Sequence, residues 1–293
     1  MRCPNHLLLQ LEQLRRLKAR RGYRGRFAPS PTGVLHFGNL QTALLSWLQA
    51  RCSGGEWFLR IDDLDTPRNR PESLPRIQSD LRWLGLHWDG QPMLQSSRRG
   101  NYSSWLSFLR RSGVLFACRC SRRDLAGKPV YPGTCRAIEA GWGWQAQRLP
   151  SWRLRVPEHN LYGSGDVVVR RADGFIAYQF ATVIDELCFG ITDVVRGNDL
   201  RDALPAQLSI YAALGQRSPR FWHGPLLYDS EGQKLSKRDA STGLDAARSK
   251  GEDAAYVIGQ LAAGLGLVPQ GSRLSAEELL MEVRDSDALP LDS

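Results

Sequence analysis

Apolar and polar positions follow one another along the chain in a pattern typical of a parallel α/β protein. Short strand-forming runs at 25–28 and 56–61 flank a turn rich in proline and glycine and a helix predicted over 38–51. Because strand, helix and strand in this order form a βαβ unit, we predict a parallel sheet. The pattern predicts further helices at 72–84, 102–112 and 203–214, strands at 166–171, 175–178, 191–196 and 221–227, and an apolar segment at 254–265.

Composition and charge narrow the class of protein. The 293 residues include 39 Lys+Arg and 30 Asp+Glu, a net charge of +9, and 42% are hydrophobic, which excludes a disordered or fibrous chain. No run of about 18 apolar residues and no cleavable leader occurs, so we expect a cytoplasmic protein without membrane contact. Residues 15–26 hold seven basic side chains and no acid, which indicates either nucleic-acid contact or a solvated basic surface.

Three of the six cysteines lie within eighteen residues, at Cys118, Cys120 and Cys135. This spacing favours a metal site over a disulfide framework. Thiolates suit Zn²⁺, and a structural zinc site needs a fourth ligand. Spacing alone allows a water in that position, and three free buried cysteines are the alternative interpretation.

The turn after the first predicted strand is a candidate phosphate site. It reads Arg26-Phe-Ala-Pro-Ser-Pro-Thr-Gly-Val-Leu-His-Phe-Gly-Asn39 and leads into a helix. Backbone amides and the helix dipole attract anions at such a turn, and His36 could donate to a phosphate oxygen. Gly33 and Gly38 allow a nucleotide close to the backbone. The alternative is a tight turn in which His36 is only a hydrogen-bonded residue at the end of the helix that follows.

A second candidate phosphate site is Lys234-Leu-Ser-Lys-Arg238, which follows the last predicted strand. Only five of the 39 basic residues are lysines, yet two of them lie in this short motif. Compact ammonium groups suit the oxygens of a triphosphate, whereas arginine prefers planar pairing. A basic surface loop is the alternative.

Together these two motifs resemble the paired signatures of the class I aminoacyl-tRNA synthetases. Three longer segments resemble the glutamyl branch of that family: Gly25-Arg-Phe-Ala-Pro-Ser-Pro-Thr-Gly33, Leu59-Arg-Ile-Asp-Asp-Leu-Asp65 and Val195-Arg-Gly-Asn-Asp-Leu200. The resemblance implies an α/β fold with a Rossmann-like catalytic domain and a parallel sheet. The domains it implies are a basic extension at 1–23, catalytic halves at 24–112 and 166–239, an inserted zinc-binding subdomain at 113–165, and a short helical extension at 240–293.

The implied activity is that of a ligase that uses ATP, with Mg²⁺, to convert L-glutamate to glutamyl-adenylate. Only 55 residues follow Arg238, so we expect no anticodon-binding domain. This favours the shortened paralogues of the branch, which transfer glutamate to the cyclopentenediol of queuosine in the anticodon stem-loop of tRNA(Asp). A compact enzyme that charges the 3′ end of a tRNA, and a silent paralogue that binds RNA or nucleotide, are the alternatives. We expect a monomer.

The resemblance also implies the site residues. The catalytic residues would be His36, Lys234 and Lys237; the ATP contacts Pro29, Gly33, His36, Gly38, Asn39, Lys234, Ser236 and Lys237; the glutamate contacts Arg26, Phe27, Ala28, Pro29, Ser30, Asp62, Tyr178 and Arg196; and the metal ligands Cys118, Cys120, Tyr131 and Cys135. Singly, Tyr178 could instead be a core aromatic, and Arg60 could form an ordinary ion pair with Asp63 or Asp65.

The sequence departs from the family pattern at two places. Asp62 stands where the branch usually has glutamate, so its shorter arm could reach the substrate ammonium directly or through a bridging water. The two signatures end in Asn39 and Arg238, and Leu235 replaces a methionine. None of these changes removes His36 or the two lysines of the second motif.

Overall fold

A computed structural model of the chain describes residues 16, 22–157, 162–224, 243–284 and 289–291. They divide into two compact units. The parallel-sheet unit comprises Arg21–Leu94, Ile191–Arg201 and Pro219–Ser293, and the antiparallel-sheet unit contains Gln95–Gly190 and Asp202–Ser218. The second motif, with Lys234, Ser236 and Lys237, lies outside the described residues, as do positions 15 and 17–21 of the basic segment at 15–26.

The described strands and helices alternate along most of the chain. In chain order they are β1 (Arg24–Phe27), α1 (Phe37–Cys52), β2 (Glu56–Ile61), α2 (Ser73–Trp83), β3 (Met93–Leu94), α3 (Arg99–Arg111), β4 (Leu115–Cys118), β5 (Ser151–Leu154), β6 (Val167–Arg170), α4 (Tyr178–Cys188), β7 (Asp193–Gly197), α5 (Leu204–Ala213), β8 (Arg220–Gly224), α6 (Gly243–Ser249), α7 (Ala254–Gly264) and α8 (Ala276–Arg284). None of the helices within the described ranges has the length and apolar character needed to cross a membrane.

The parallel-sheet unit confirms the predicted βαβ arrangement. Strand β2 pairs in parallel with β1 and with β3, and β7 pairs in parallel with β8. The Thr192 amide, just before β7, donates to the Arg24 carbonyl at 2.9 Å, so β7 starts beside β1. The carboxyl ends of β1, β2 and β7 therefore lie along one edge, where ligands bind in open parallel sheets.

The core of this unit forms around α1, which is buried on almost every side. Leu40, Leu44 and Leu48 are fully buried within it. The helices after the last strand close the same core, because Leu261 of α7 and Leu279 of α8 are also fully buried in the cluster. Burial on this scale is the main stabilising term of a domain.

Among the described residues, the antiparallel-sheet unit contains the sheet β4–β5–β6 and the helices α3, α4 and α5. Its interior is partly polar. The buried Asp185 carboxylate of α4 accepts hydrogen bonds from Gln95 Nε2, Arg98 Nε and the Tyr102 hydroxyl at 2.6–2.9 Å. Such a satisfied network fixes α4 against the start of α3.

One predicted strand is wrong. Residues 175–178 form only a single bridge, between Ile176 and Arg170, and α4 begins at Tyr178. Phe180, Ile184 and Leu187 of α4 are buried at helical spacing. The aromatic and β-branched run before Tyr178 is strand-like in composition, but burial of the following helical face decides the structure.

Candidate active site and metal centre

The turn between β1 and α1 ends at His36, the N-cap residue of α1. Its Nδ1 accepts a hydrogen bond from the Asn39 amide at 3.3 Å, as N-cap side chains do. With Nδ1 as the acceptor, the neutral imidazole carries its proton on Nε2 and donates from that atom. The first turn of α1 holds no acidic residue, so the positive end of its dipole favours an anion.

The same turn is tied to the segment that follows β2. The Pro29 carbonyl accepts a hydrogen bond from the Asp62 amide at 3.0 Å, and the Pro31 carbonyl accepts one from the Arg70 amide at 2.9 Å. Gly33 has φ +156°, a value that other residues rarely adopt. The structure thus brings the predicted phosphate turn and Asp62 together at one edge of the sheet.

Two predicted glutamate ligands, Arg26 of β1 and Arg196 of β7, are buried. Arg26 Nη1 donates to the Val195 carbonyl at 3.0 Å, which places the first guanidinium against the strand that carries the second. Arg196 Nε donates to His223 Nε2 at 3.2 Å, and its guanidinium lies 4.8 Å from the Phe221 ring centroid. The two guanidiniums therefore come from adjacent strands near their carboxyl ends.

Asp62 is held by Arg60. Arg60 Nε donates to one carboxylate oxygen at 2.6 Å and Nη2 to the other at 3.1 Å, and the two side chains are only 2% and 3% exposed. Two-pronged pairing of this kind orients a carboxylate firmly. Asp65, one of the partners considered for Arg60, pairs instead with Arg68 at 2.7 Å.

The remaining predicted glutamate contacts have varied surroundings. Phe27 is a core side chain that stacks on Trp57, with 6.2 Å between ring centroids. Tyr178 belongs to the antiparallel-sheet unit, where it is the first residue of α4 and 38% exposed, so the core-aromatic interpretation is wrong. The sequence did not single out His223, because it lies 27 positions after Arg196 and belongs to none of the motifs.

The antiparallel-sheet unit holds the predicted thiol cluster. The Sγ atoms of Cys118, Cys120 and Cys135 all lie within 4.8 Å of one another. Four ligands at about 2.3 Å around a tetrahedral ion stand roughly 3.8 Å apart, so these thiols fit one metal ion. Tyr131 Oη lies 3.3 Å from Cys118 Sγ and 3.9 Å from Cys120 Sγ, and it accepts a hydrogen bond from the Cys135 amide at 2.8 Å.

The protonation of this cluster follows from its surroundings. Burial, with the neighbouring Cys135 thiol, raises the pKa of Cys120 to about 11, and burial also raises the pKa of Tyr131. For Cys118 burial acts in the same direction, but hydrogen bonds with Tyr131 and the Cys120 amide, with the Arg153 charge, outweigh it and lower the pKa. Of Cys118, Cys120 and Tyr131, Cys118 is therefore the most readily ionised. A metal ion must displace the protons of Cys120 and Tyr131 to bind.

Comparisons with known proteins agree with the motifs. The family described as tRNA synthetases class I (E and Q), catalytic domain, matches residues 23–128 and 154–274. A protein of Parasynechococcus marenigrum (strain WH8102) named glutamyl-Q tRNA(Asp) synthetase is 69% identical over 283 residues, 97% of each chain. One of the same name from Prochlorococcus marinus (strain MIT 9313) is 56% identical over 98% of this chain and 95% of its own.

Solved structures show the same kinship. A glutamate tRNA ligase from Elizabethkingia meningosepticum CCUG26117, in complex with its amino acid, has a TM-score of 0.72 and 26% identity over 89% of this chain. The match spans 64% of that longer chain, slightly less than two thirds. The resemblance and the α/β fold class inferred from the motifs are confirmed. The chain belongs to the class I tRNA synthetases of the E and Q type, within the glutamyl-Q tRNA(Asp) synthetase family.

Proposed function

We propose that this chain is a ligase that activates L-glutamate with ATP and transfers the glutamyl group to the cyclopentenediol of queuosine in the anticodon of tRNA(Asp). The observation that carries the proposal is the pair of buried guanidiniums, Arg26 and Arg196, on the neighbouring strands β1 and β7. Glutamate presents two carboxylates, and guanidinium forks are the side chains that bind carboxylates best. The 69% identity to a glutamyl-Q tRNA(Asp) synthetase supports the same reaction.

The positive charge of the two buried guanidiniums explains the selection of glutamate. Glutamine would leave a buried guanidinium facing an uncharged amide, which costs binding energy, so the site rejects it. Asp62, oriented by Arg60, offers an acceptor to the substrate ammonium directly or through one water. The other glutamate contacts predicted from the sequence are Phe27, Ala28, Pro29, Ser30 and Tyr178.

In the first step the α-carboxylate of glutamate attacks the α-phosphorus of ATP. A carboxylate oxygen–phosphorus bond forms, and the bond to pyrophosphate breaks. His36 Nε2 and the amides at the start of α1 stabilise charge on the α-phosphate. Lys234, Ser236 and Lys237 are proposed to hold the leaving phosphates, beside contacts from Gly38 and Asn39. Mg²⁺ bound with ATP supplies further charge neutralisation.

In the second step a cyclopentenediol hydroxyl attacks the acyl carbon of the adenylate. An ester bond forms, AMP leaves, and the hydroxyl proton is released. No covalent enzyme intermediate is needed. The excess of basic residues over the chain favours the phosphate-rich stem-loop, with affinity that falls as salt rises.

The metal in the antiparallel-sheet unit is proposed to be one Zn²⁺ with a structural role. Cys118, Cys120, Cys135 and Tyr131 would hold it, and three sulfurs with one oxygen suit zinc better than calcium or magnesium. Four protein ligands leave no open position for substrate. The ion would join the end of β4 to the segment that carries Tyr131 and Cys135.

The test is transfer of labelled glutamate to three RNAs: tRNA(Asp) with queuosine, the same tRNA with guanosine, and tRNA(Glu). We expect label only on the first, surviving periodate treatment of the 3′ end. Label on tRNA(Glu) that periodate abolishes would make the chain a compact enzyme that charges a 3′ end. Absence of glutamate-dependent exchange of labelled pyrophosphate into ATP, with folded and metal-loaded protein, would exclude both enzymes.

A further inference from the structure

A tryptophan on the antiparallel-sheet unit is exposed without an assigned role. Trp144 is 70% exposed, the highest value among the large apolar side chains exposed in the described part of the chain. It ends the run Gly141-Trp-Gly-Trp144 between β4 and β5. This run lies between the two stretches, 23–128 and 154–274, that match the catalytic-domain family, so the shared domain does not account for it.

The loop that carries Trp144 has a defined conformation. Directly after it, Gln145 and Arg148 exchange backbone hydrogen bonds of 3.1 and 3.0 Å. The two residues between them, Ala146 and Gln147, have φ of +46° and +57°. Left-handed conformations at two successive positions are typical of a tight two-residue hairpin turn, and they persist in non-glycine residues only where the surroundings impose them.

Those surroundings are two arginine side chains. Arg119 donates to four backbone carbonyls of the loop, those of residues 140, 141, 143 and 148, at 2.7–3.2 Å. Arg148 Nη2 donates in return to the Cys120 carbonyl at 2.9 Å. Because Arg119 stands between Cys118 and Cys120, the thiol cluster and the Trp144 loop share one short segment of backbone.

The neighbouring tryptophan anchors the loop. Trp142 packs edge-on against Trp152 of β5, with 5.0 Å between ring centroids and 78° between planes. The Arg110 guanidinium lies 4.3 Å from the Trp142 centroid. The Trp142 ring thus packs against other side chains of the unit. The Trp144 ring is exposed to solvent, on a backbone that hydrogen bonds hold in place.

The segment that contains this loop has a positive net charge. Residues 119–148 contain six basic side chains (Arg119, Arg122, Arg123, Lys128, Arg136 and Arg148) and two acidic ones (Asp124 and Glu139), a net charge of 6 − 2 = +4. Within the described residues, the hydrogen bonds of Arg119 and Arg148 go to neutral carbonyls, which leave the positive charge in place. An exposed aromatic ring amid positive charge is the combination that binds unpaired nucleotides, through base stacking and phosphate attraction.

We infer that Trp144 is a stacking platform for an unpaired base of RNA, held in position by Arg119 and Arg148. The inference rests on the proposed function in one respect, because it takes the RNA to be the loop of the substrate tRNA. Order in the loop before binding reduces the entropy lost when the base stacks, so the single ring contributes fully to affinity.

The test compares RNA affinities of Trp144→Ala and Trp144→Phe in the full-length, metal-loaded protein. The probes are a synthetic tRNA(Asp) anticodon stem-loop and a blunt duplex of the same stem. We expect Trp144→Ala to weaken binding of the stem-loop about tenfold, the value of one stacked base, and Trp144→Phe to restore most of it. Duplex affinity and the slope of log K against log salt should stay the same, since no charge is removed.

Met281→Ala is the matched control, because Met281 is 66% exposed on α8 in the parallel-sheet unit and should leave RNA affinity unchanged. Equal stem-loop affinity of Trp144→Ala and the unmodified protein would overturn the inference, as would an equal loss on stem-loop and duplex. A change in the sedimentation of Trp144→Ala measured without RNA, at unchanged RNA affinity, would also overturn the inference. It would assign the ring to self-association.

Failure of the proposed function is recognised separately. If the unmodified protein transfers glutamate to queuosine while Trp144→Ala binds the stem-loop normally, only the stacking inference fails. If no transfer occurs in the unmodified protein, the proposed function fails, and the Trp144 comparison still reports on RNA binding.

Discussion

In the parallel-sheet unit the candidate substrate groups lie on or beside regular elements, whereas in the antiparallel-sheet unit the thiols and the exposed indole lie mostly between strands. Arg26 and Arg196 belong to β1 and β7, and His36 caps α1. By contrast, residues 119–150, all described by the structure, contain turns but no helix or regular strand. That segment contains two of the thiols, the phenol and the exposed indole: Cys120, Cys135, Tyr131 and Trp144.

The difference shows two ways of holding chemistry in place. A strand fixes the direction of its side chains through the hydrogen bonds of the sheet and the core beneath. A long connection without such bonds needs cross-links of another kind. Here these are the thiol cluster and the arginine hydrogen bonds to backbone carbonyls. Substitutions in both units test this difference.

The largest effect is expected from removing the metal ligands. Cys135→Ser should abolish stoichiometric metal and destabilise the antiparallel-sheet unit by several kcal/mol, because metal binding to such a site is folding free energy. Metal analysis together with urea unfolding followed by tryptophan fluorescence measures both. Cys52→Ser, at a half-buried free thiol in α1, is the control. Full metal content in Cys135→Ser would contradict the assignment.

The next effect concerns the buried pair in the parallel-sheet unit. Asp62→Asn leaves the Arg60 charge without its carboxylate, and we expect a loss of about 3 kcal/mol in the free energy of unfolding. Asp65→Asn breaks the pair with Arg68, whose side chain is 72% exposed, and should cost less than about 1 kcal/mol. Urea titration of both variants tests the contrast. Equal losses in the free energy of unfolding would show that burial does not increase the contribution of the pair to stability.

Substitution of His36 separates helix capping from catalysis. Asparagine is a good N-cap residue but lacks the Nε2 donor, so His36→Asn should keep stability while kcat/KM for pyrophosphate exchange falls about 100-fold. His36→Ala removes the cap as well and should cost about 1 kcal/mol of stability in addition. Unchanged exchange kinetics in His36→Asn would remove His36 from the proposed mechanism.

The smallest effect is expected at an exposed cap of α8. Hydrogen bonds from the Ser275 amide and hydroxyl lower the pKa of Glu278. Since the folded pKa lies below the unfolded one, the stabilisation is present above the unfolded pKa and is lost as pH falls through the folded pKa. Glu278→Gln should therefore lower the urea midpoint slightly at pH 7, and the difference should shrink as the pH falls below the unfolded pKa. A difference that grows on acidification would contradict this assignment.

Local pattern predicted much of the fold and of the candidate site. Alternation of strand and helix signals predicted β1, α1 and β2 within one or two residues, because each element buries a face whose period is visible in the sequence. The three thiols were predicted from their spacing, and they come together. The pattern was wrong at 175–178, where burial of the helix that follows outweighs local composition.

Other features depend on residues that meet only in the folded chain. The hydrogen bond of Arg196 to His223 requires β7 and β8 to pair in register. The pairing of Arg60 with Asp62 depends on the burial of both side chains. The four hydrogen bonds of Arg119 require the chain to return some twenty residues later.

The family, the parallel α/β class and the residue types of the site were thus contained in the sequence, because short-range spacing and chemical type are properties of the chain itself. The folded arrangement decided which groups are paired, that His36 caps α1 through Nδ1, and which of Trp142 and Trp144 is exposed to solvent. Those outcomes depend on burial and on long-range hydrogen bonds, and both exist only once distant segments are in contact.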